Sequence, residues 1–257
     1  MGVPDVLVNK INAKTKIAWI HTDYDTLNPS RRYDRLVYSK IDYIANVSDD
    51  CTRKFLKYYP EFISKSITIE NILSSKFLEF QSKEKITDFK ENSIIILSIG
   101  RFCEAKNFDN IPAICKLIRE KGLNIKWYLI GYGTDEEIIR SKIKEFDMED
   151  NVIILGKKIN PYPYIKKADY FCLLSEFEGY GMVLEEAKIL NKPIIITDTA
   201  AREAIEKYEN SKILENTEEG IYKGLKEIIQ KPYRNKEFSS NYNNLNRLKD
   251  IIDFIGE

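Results

Sequence analysis

The sequence predicts an α/β protein built on parallel sheets, with one complete doubly wound lobe and a second, partial one. Two observations carry this. From Ser93 onward, short β-branched runs alternate with longer amphipathic segments, at the spacing of repeated β-α units. The strand-like runs are almost continuously apolar rather than alternating, which a sheet covered on both faces by helices requires.

Taken in order, residues 16–21, 43–48 and 66–70 read as strands, and 49–59 as a helix whose acidic first turn suits the helix dipole. Residues 80–92, rich in Lys, Glu, Ser and Asp, read as a linker or exposed loop. Strands are then expected at 94–100, 125–131, 152–156, 170–175 and 193–198. Helices fall between and after them, at 107–121, 134–146, 162–167, 181–190, 201–208 and 218–230, with a last one at 245–255. The expected division is a partial lobe over 1–80, a linker over 81–92, a complete lobe over 93–235 and a tail with a helix over 236–257.

Composition narrows the function classes. With 257 residues, 43% hydrophobic and 31% charged, the chain has the make-up of a globular protein long enough for two lobes. Its 40 basic and 40 acidic side chains cancel, and no long basic block suggests a nucleic-acid partner. The apolar runs fall far short of the ~20 residues of a membrane span, and residues 1–12 lack the pattern of a signal peptide. Cys51, Cys103, Cys115 and Cys172 show no paired spacing, so reduced, packed thiols are expected.

The chemistry concentrates in Ser175-Glu-Phe-Glu-Gly-Tyr-Gly-Met-Val-Leu-Glu-Glu-Ala187, where a strand passes into a helix. Ligands of open α/β sheets bind at such points. Gly179 and Gly181 would let the backbone approach a ligand closely. The N–H groups of Tyr180, Gly181, Met182 and Val183 would then face a phosphate, aided by the helix dipole. Glu178 in the loop and Glu186 in the helix have the spacing to face one crevice while Glu185 points elsewhere. On periodicity alone, a solvated helix face for Glu185 and Glu186 is the commoner reading.

The ensemble changes that balance. This segment, followed by Asn191-Lys-Pro-Ile-Ile-Ile-Thr-Asp198, resembles the E-x7-E signature of family 4 glycosyltransferases, retaining enzymes of GT-B fold. Ser98-Ile-Gly-Arg-Phe-Cys-Glu-Ala-Lys-Asn107 is similar to that family's G-R-x-x-x-x-K-G segment, with Asn107 in place of the usual glycine. Leu129-Ile-Gly-Tyr-Gly133 and Asn151-Val-Ile-Ile-Leu-Gly156 resemble two further family strand ends. Four segments in the family's order are specific, whereas a lone E-x7-E would not be.

The resemblance implies roles. Arg101 and Lys106 match the pair that holds the donor's diphosphate, with Gly100 and Gly131 in the adjoining strand ends. Glu186 matches the glutamate that binds ribose hydroxyls, and Glu178 the one beside the transferred sugar. Residues 156–159, Lys157 among them, would border the base. His21, the only histidine, matches a segment lining the cleft opposite the donor site and joins Glu178 as a candidate catalytic residue. The activity implied is retaining transfer of a hexose from a UDP- or GDP-sugar to a saccharide or lipid-linked acceptor, in surface polysaccharide assembly. No metal and no cofactor beyond the substrate are implied, and the expected place is the cytoplasm, with contact at the inner face of the membrane.

The family's N-terminal glycine-rich turn has no counterpart, and residues 3–8 read as a middle strand of the first lobe. The expectation is therefore a shortened first lobe. The alternative function is a truncated nucleotide-sugar-binding protein with little or no catalysis on its own. A Ser-His-Asp hydrolase is excluded because no G-x-S-x-G elbow exists, and Gly131-Tyr-Gly133 does not complete a dinucleotide fingerprint. A sugar-nucleotide epimerase of GT-B fold would need more histidines than this chain has.

Overall fold

Two parallel sheets organise the chain. The computed structural model describes residues 10–22, 24–27, 30–90, 93–178, 181–199 and 201–230, with Val8, Leu248, Lys249 and 251–253. The chain divides between Leu73 and Ser74 into two units, the described C-terminal residues belonging with the first. Most of the helix expected at 245–255, and the strand expected at 3–8 apart from Val8, lie outside the described residues. Among the described residues no helix is long and apolar enough to cross a membrane.

The first unit carries β1 (Ile17–Ile20), β2 (Tyr43–Asn46) and β3 (Ser66–Thr68), parallel and in that spatial order, with α1 (Arg31–Tyr38) and α2 (Asp49–Tyr58). Helix α2 starts where Ser48 Oγ accepts the N–H of Cys51 at 3.1 Å. Ile20, Ile44, Phe55 and Tyr59 form its core with the rings of Tyr24 and Tyr38. The polar tips of these tyrosines are satisfied in place: Tyr24 and Tyr59 both donate to Asp34 Oδ2, at 3.2 and 2.9 Å. Helix α1 escapes a reading by pattern because Arg31, Arg32 and Arg35 crowd it and only Val37 and Tyr38 are buried.

Asn46 ends β2 fully buried, and neither atom of its side-chain amide has a partner among the described residues. An unsatisfied buried group costs about 1–3 kcal/mol. Asn46→Leu, close in volume, should therefore raise the thermal midpoint by a few degrees in melts followed by circular dichroism. A lower midpoint would mean that the amide is satisfied in solution.

The second unit is a six-stranded parallel sheet in the order β6-β5-β4-β7-β8-β9. Its strands are β4 (Ile94–Ile99), β5 (Ile125–Ile130), β6 (Val152–Gly156), β7 (Tyr170–Leu173), β8 (Ile194–Thr197) and β9 (Ser211–Leu214). The helices are α3 (Ser75–Gln81), α4 (Ile111–Glu120), α5 (Glu136–Glu145), α6 (Tyr162–Lys167), α7 (Met182–Ile189), α8 (Arg202–Ile205) and α9 (Glu218–Gln230). Every residue of β7 and β8 is buried, as two-sided helical cover demands. Ser98 in β4 bridges three strands: its hydroxyl donates to Cys172 O in β7 at 2.6 Å and accepts the Trp127 indole N–H of β5 at 2.9 Å. Cys51, Cys115 and Cys172 are buried free thiols and Cys103 is partly so; burial pushes the Cys115 thiol up to about 12.

Residues 80–90 do not form a free linker, and 91–92 lie outside the described residues. The end of α3 and the segment to Lys90 are strapped to the second unit. Tyr164 donates to Asp88 at 2.6 Å, Lys90 N–H to the Tyr128 hydroxyl at 2.9 Å, and Lys167 to Ile86 O at 2.8 Å. Phe89 packs on the Tyr128 ring at 4.4 Å. The boundary at Ser74, rather than near residue 80, follows from the contacts of α3 itself, with Phe77 edge-on to the Tyr162 ring and Gln81 O accepting from Asn160. A polar composition marks a solvated loop and a hydrogen-bonded strap alike.

Candidate functional site

The strand order makes the site. Residue order reverses where β4 and β7 lie side by side, so the loops after these two strands leave the sheet together at its carboxyl edge, where open α/β sheets bind ligands. The first loop carries Gly100, Arg101 and Lys106, and the second Ser175 and Glu178. Lys106 and Glu178 are 72 residues apart in sequence, yet Lys106 Nζ donates to Glu178 Oε2. The Ser175 hydroxyl donates to the same oxygen at 3.3 Å. The backbone joins the loops as well, with Glu176 N–H donating to Ala105 O at 3.0 Å. Asn107, with φ 55° and ψ 32°, occupies the left-handed region. Asparagine is the residue besides glycine that tolerates this conformation, which explains its standing where the family pattern has glycine.

The two helix glutamates part company. Glu185 is fully buried and accepts from Lys188 Nζ at 2.8 Å, while Lys188 also donates to Ala204 O at 2.6 Å. The pair thus fastens α7 to α8, and a solvated face is absent at Glu185. Glu186 turns instead toward α6, where Tyr162 donates to its Oε1 at 3.2 Å. Burial pushes the Glu186 carboxyl above its usual range, against the pull of the tyrosine hydrogen bond.

Glycines let the neighbouring loops close on one another. Gly131 N–H donates to Gly156 O and Gly100 N–H to Ile130 O, each at 3.0 Å. A Cβ on Gly131 would lie 1.9 Å from Gly100 O. Gly181, with φ 71°, precedes α7, so Met182 and Val183 stand in the first turn, where N–H groups lack intrahelical acceptors. Gly179 and Tyr180 lie outside the described residues. Lys157 sits over the Tyr132 ring at 5.2 Å. Arg101 is exposed and has no hydrogen bond or ion pair among the described residues.

His21 belongs to the first unit, one residue beyond β1, exposed and stacked on Trp19 with ring centroids 6.1 Å apart. The structure thus brings Lys106, Glu178 and Ser175 together and places the glycine turns beside one another. Tyr162 and Ser175 stand in segments singled out from the sequence, but neither was named there as a site residue. The signal for Tyr162 is its place at the start of a helix just after β6, on the edge where strands end.

The model of the family "Glycosyl transferases group 1" matches residues 79–245. An uncharacterised glycosyltransferase of Methanocaldococcus jannaschii is 27% identical over 231 residues, 79% of this chain and 54% of that protein. The Campylobacter jejuni N-acetylgalactosamine-N,N'-diacetylbacillosaminyl-diphospho-undecaprenol 4-alpha-N-acetylgalactosaminyltransferase is 28% identical over 184 residues, 68% of this chain and 47% of its own length. The chain spans about half the length of these curated relatives. Among solved structures, a mutant of Staphylococcus aureus TarM in complex with fondaparinux, alpha-GlcNAc-glycerol and UDP superposes with a TM-score of 0.79. That likeness covers 99% of this chain and 54% of TarM at 18% identity, and it fixes the fold as GT-B. With the family model spanning the whole edge from Gly100 to Glu186 and on to β9, the chain belongs to the glycosyl transferases group 1 family.

Proposed function

We propose that this edge binds the diphosphate and ribose of a UDP- or GDP-sugar, and that the protein transfers a hexose from it to a saccharide or lipid-linked acceptor. The observation that carries this is the meeting of Lys106, Glu178 and Ser175 at the switch point of a parallel sheet. A leaving diphosphate concentrates negative charge, which fixed cations and backbone donors must meet in the absence of a metal. Arg101, exposed and without an ion pair among the described residues, and Lys106 supply the cations, and the glycine-bordered first turn of α7 supplies N–H groups. Glu178 then lies beside the sugar, where a carboxylate stabilises positive character at the anomeric carbon. Glu186 accepts ribose hydroxyls. Lys157 and its neighbours border the base, and His21 contacts the donor sugar or acceptor.

The presence of UDP in the TarM complex supports a nucleoside diphosphate donor, and the diphospho-undecaprenol acceptor in the C. jejuni relative's name supports a lipid-linked acceptor, from which we place the reaction in surface polysaccharide assembly at the inner membrane face. Retention and independence from metal ions belong to the same reading. Calorimetry tests it. UDP or GDP should bind with measurable heat, unchanged by EDTA. Lys106→Ala should weaken the diphosphate about tenfold or more while leaving the bare nucleoside unaffected, since one charge-assisted contact is worth about 1.5–3 kcal/mol. Silence with both nucleoside diphosphates would sink the proposal.

A further inference from the structure

Tyr162 has no role in the reading above, yet its setting is built. It opens α6 between Pro161 and Pro163, and its own N–H donates to Asn160 Oδ1 at 3.3 Å. Asn160 is in turn anchored: its amide nitrogen donates to Gln81 O at 3.0 Å and Glu84 Oε2 at 2.6 Å. The Phe77 ring of α3 stands edge-on to the tyrosine, centroids 6.3 Å apart. Two elements from outside the β-α repeat therefore fix one phenol. Burial pushes its hydroxyl up to about 12, so it stays protonated and donates.

The recipient is Glu186, which takes the Tyr162 hydroxyl on Oε1 and has no protein partner on Oε2 among the described residues. A glutamate has several rotatable bonds, and ordering such a side chain costs up to about 2 kcal/mol. A donor fixed on one oxygen pre-orders it before any ligand arrives. We propose that Tyr162 is a positioning residue, holding Glu186 in the single rotamer from which Oε2 and the remaining lone pair of Oε1 accept the two ribose hydroxyls. It acts through Glu186 and not on the ligand. The inference rests on the donor reading given above.

The test compares ligands that differ only in the hydroxyls concerned. Kd is measured by calorimetry for UDP and 2′,3′-dideoxy-UDP (or the guanine pair, whichever base binds) on wild type, Tyr162→Phe and Phe77→Ala. Wild type should prefer the ribose form by about tenfold or more, one to two hydrogen bonds to a charged group. Tyr162→Phe should weaken UDP by about fivefold while leaving the dideoxy ligand unchanged. Phe77→Ala, which frees the ring without removing the hydroxyl, should show a smaller loss of the same kind and stands in if the first variant misfolds. Equal weakening of both ligands would assign Tyr162 a merely structural role and overturn the inference, as would no change in either. A wild-type chain that binds neither UDP nor GDP overturns the donor reading and this inference with it. Wild-type binding without preference for the ribose form overturns the ribose assignment and this inference with it, while the diphosphate reading stands.

Discussion

Replacing Glu186 by alanine or glutamine should weaken binding of UDP or GDP, by about 100-fold or more where both hydrogen bonds to the carboxylate are lost. The same change should not cost stability, and the two readouts together are diagnostic. Burial raises the folded-state pKa of Glu186 above the ordinary carboxylate range. A raised carboxyl binds its proton more tightly in the folded state than in the unfolded one. Folding is therefore disfavoured as pH climbs through the unfolded value and on through the raised folded value. Glu186→Gln removes the ionisation, so its thermal midpoint should equal or exceed wild type at pH 7, with any advantage shrinking at pH 4. A neutral substitution that both lowers the midpoint at pH 7 and leaves affinity intact would show Glu186 to be a structural residue. A gain in stability with a loss of binding is what a functional group held against its solvation preference produces.

Gly131→Ala should lower stability by about 3 kcal/mol or more, the upper range for forcing atoms into a packed site, and shift the midpoint by about 6–12 °C. The Cβ would lie 1.9 Å from Gly100 O and 3.0 Å from the Phe102 ring. The clash is with backbone, which no rotamer change relieves. The same carbonyl region closes the loop that carries Arg101 and Lys106, so donor affinity should fall as well. Gly122→Ala supplies the control: its φ is +79° but nothing lies within 4 Å of the added atom. It should cost only the left-handed strain, about 1 kcal/mol. Equal midpoints for the two variants, in denaturation followed by fluorescence, would show that the loop after β5 yields freely.

The β-α alternation of the second unit was legible because a sheet buried on both faces leaves an unbroken apolar mark. Strands β4 to β8 fall within a residue or two of their expected limits. Strand β9 was not legible: Ser211-Lys-Ile-Leu214 is a short edge strand paired on one side, too brief and polar to stand out. Helix α3 was hidden for the opposite reason, since only Leu78 of its residues is buried. The motif residues Lys106, Glu178 and Glu186 could be named from the chain because their spacing and order match a family pattern. Glu185 shows the limit of periodicity. A glutamate on a helix reads as solvated, and only the packing of α8 against α7, with Lys188 between them, makes a buried acid tolerable.

What the amino-acid sequence determined by itself was the parallel α/β architecture, the family, and the residue types offered as candidates at the strand ends. Those depend on short-range periodicity and on chemistry carried by residue type. What only the tertiary structure decided was which groups meet. The adjacency of β4 and β7 brings Lys106 to Glu178 across 72 residues. The strap before β4 holds Asn160, α3 sets Phe77 against Tyr162, and Tyr162 reaches Glu186. Such pairings are contacts between residues far apart in sequence, most of them hydrogen bonds made by polar side chains. Their partners leave no periodic trace, because either one alone would be equally content in water.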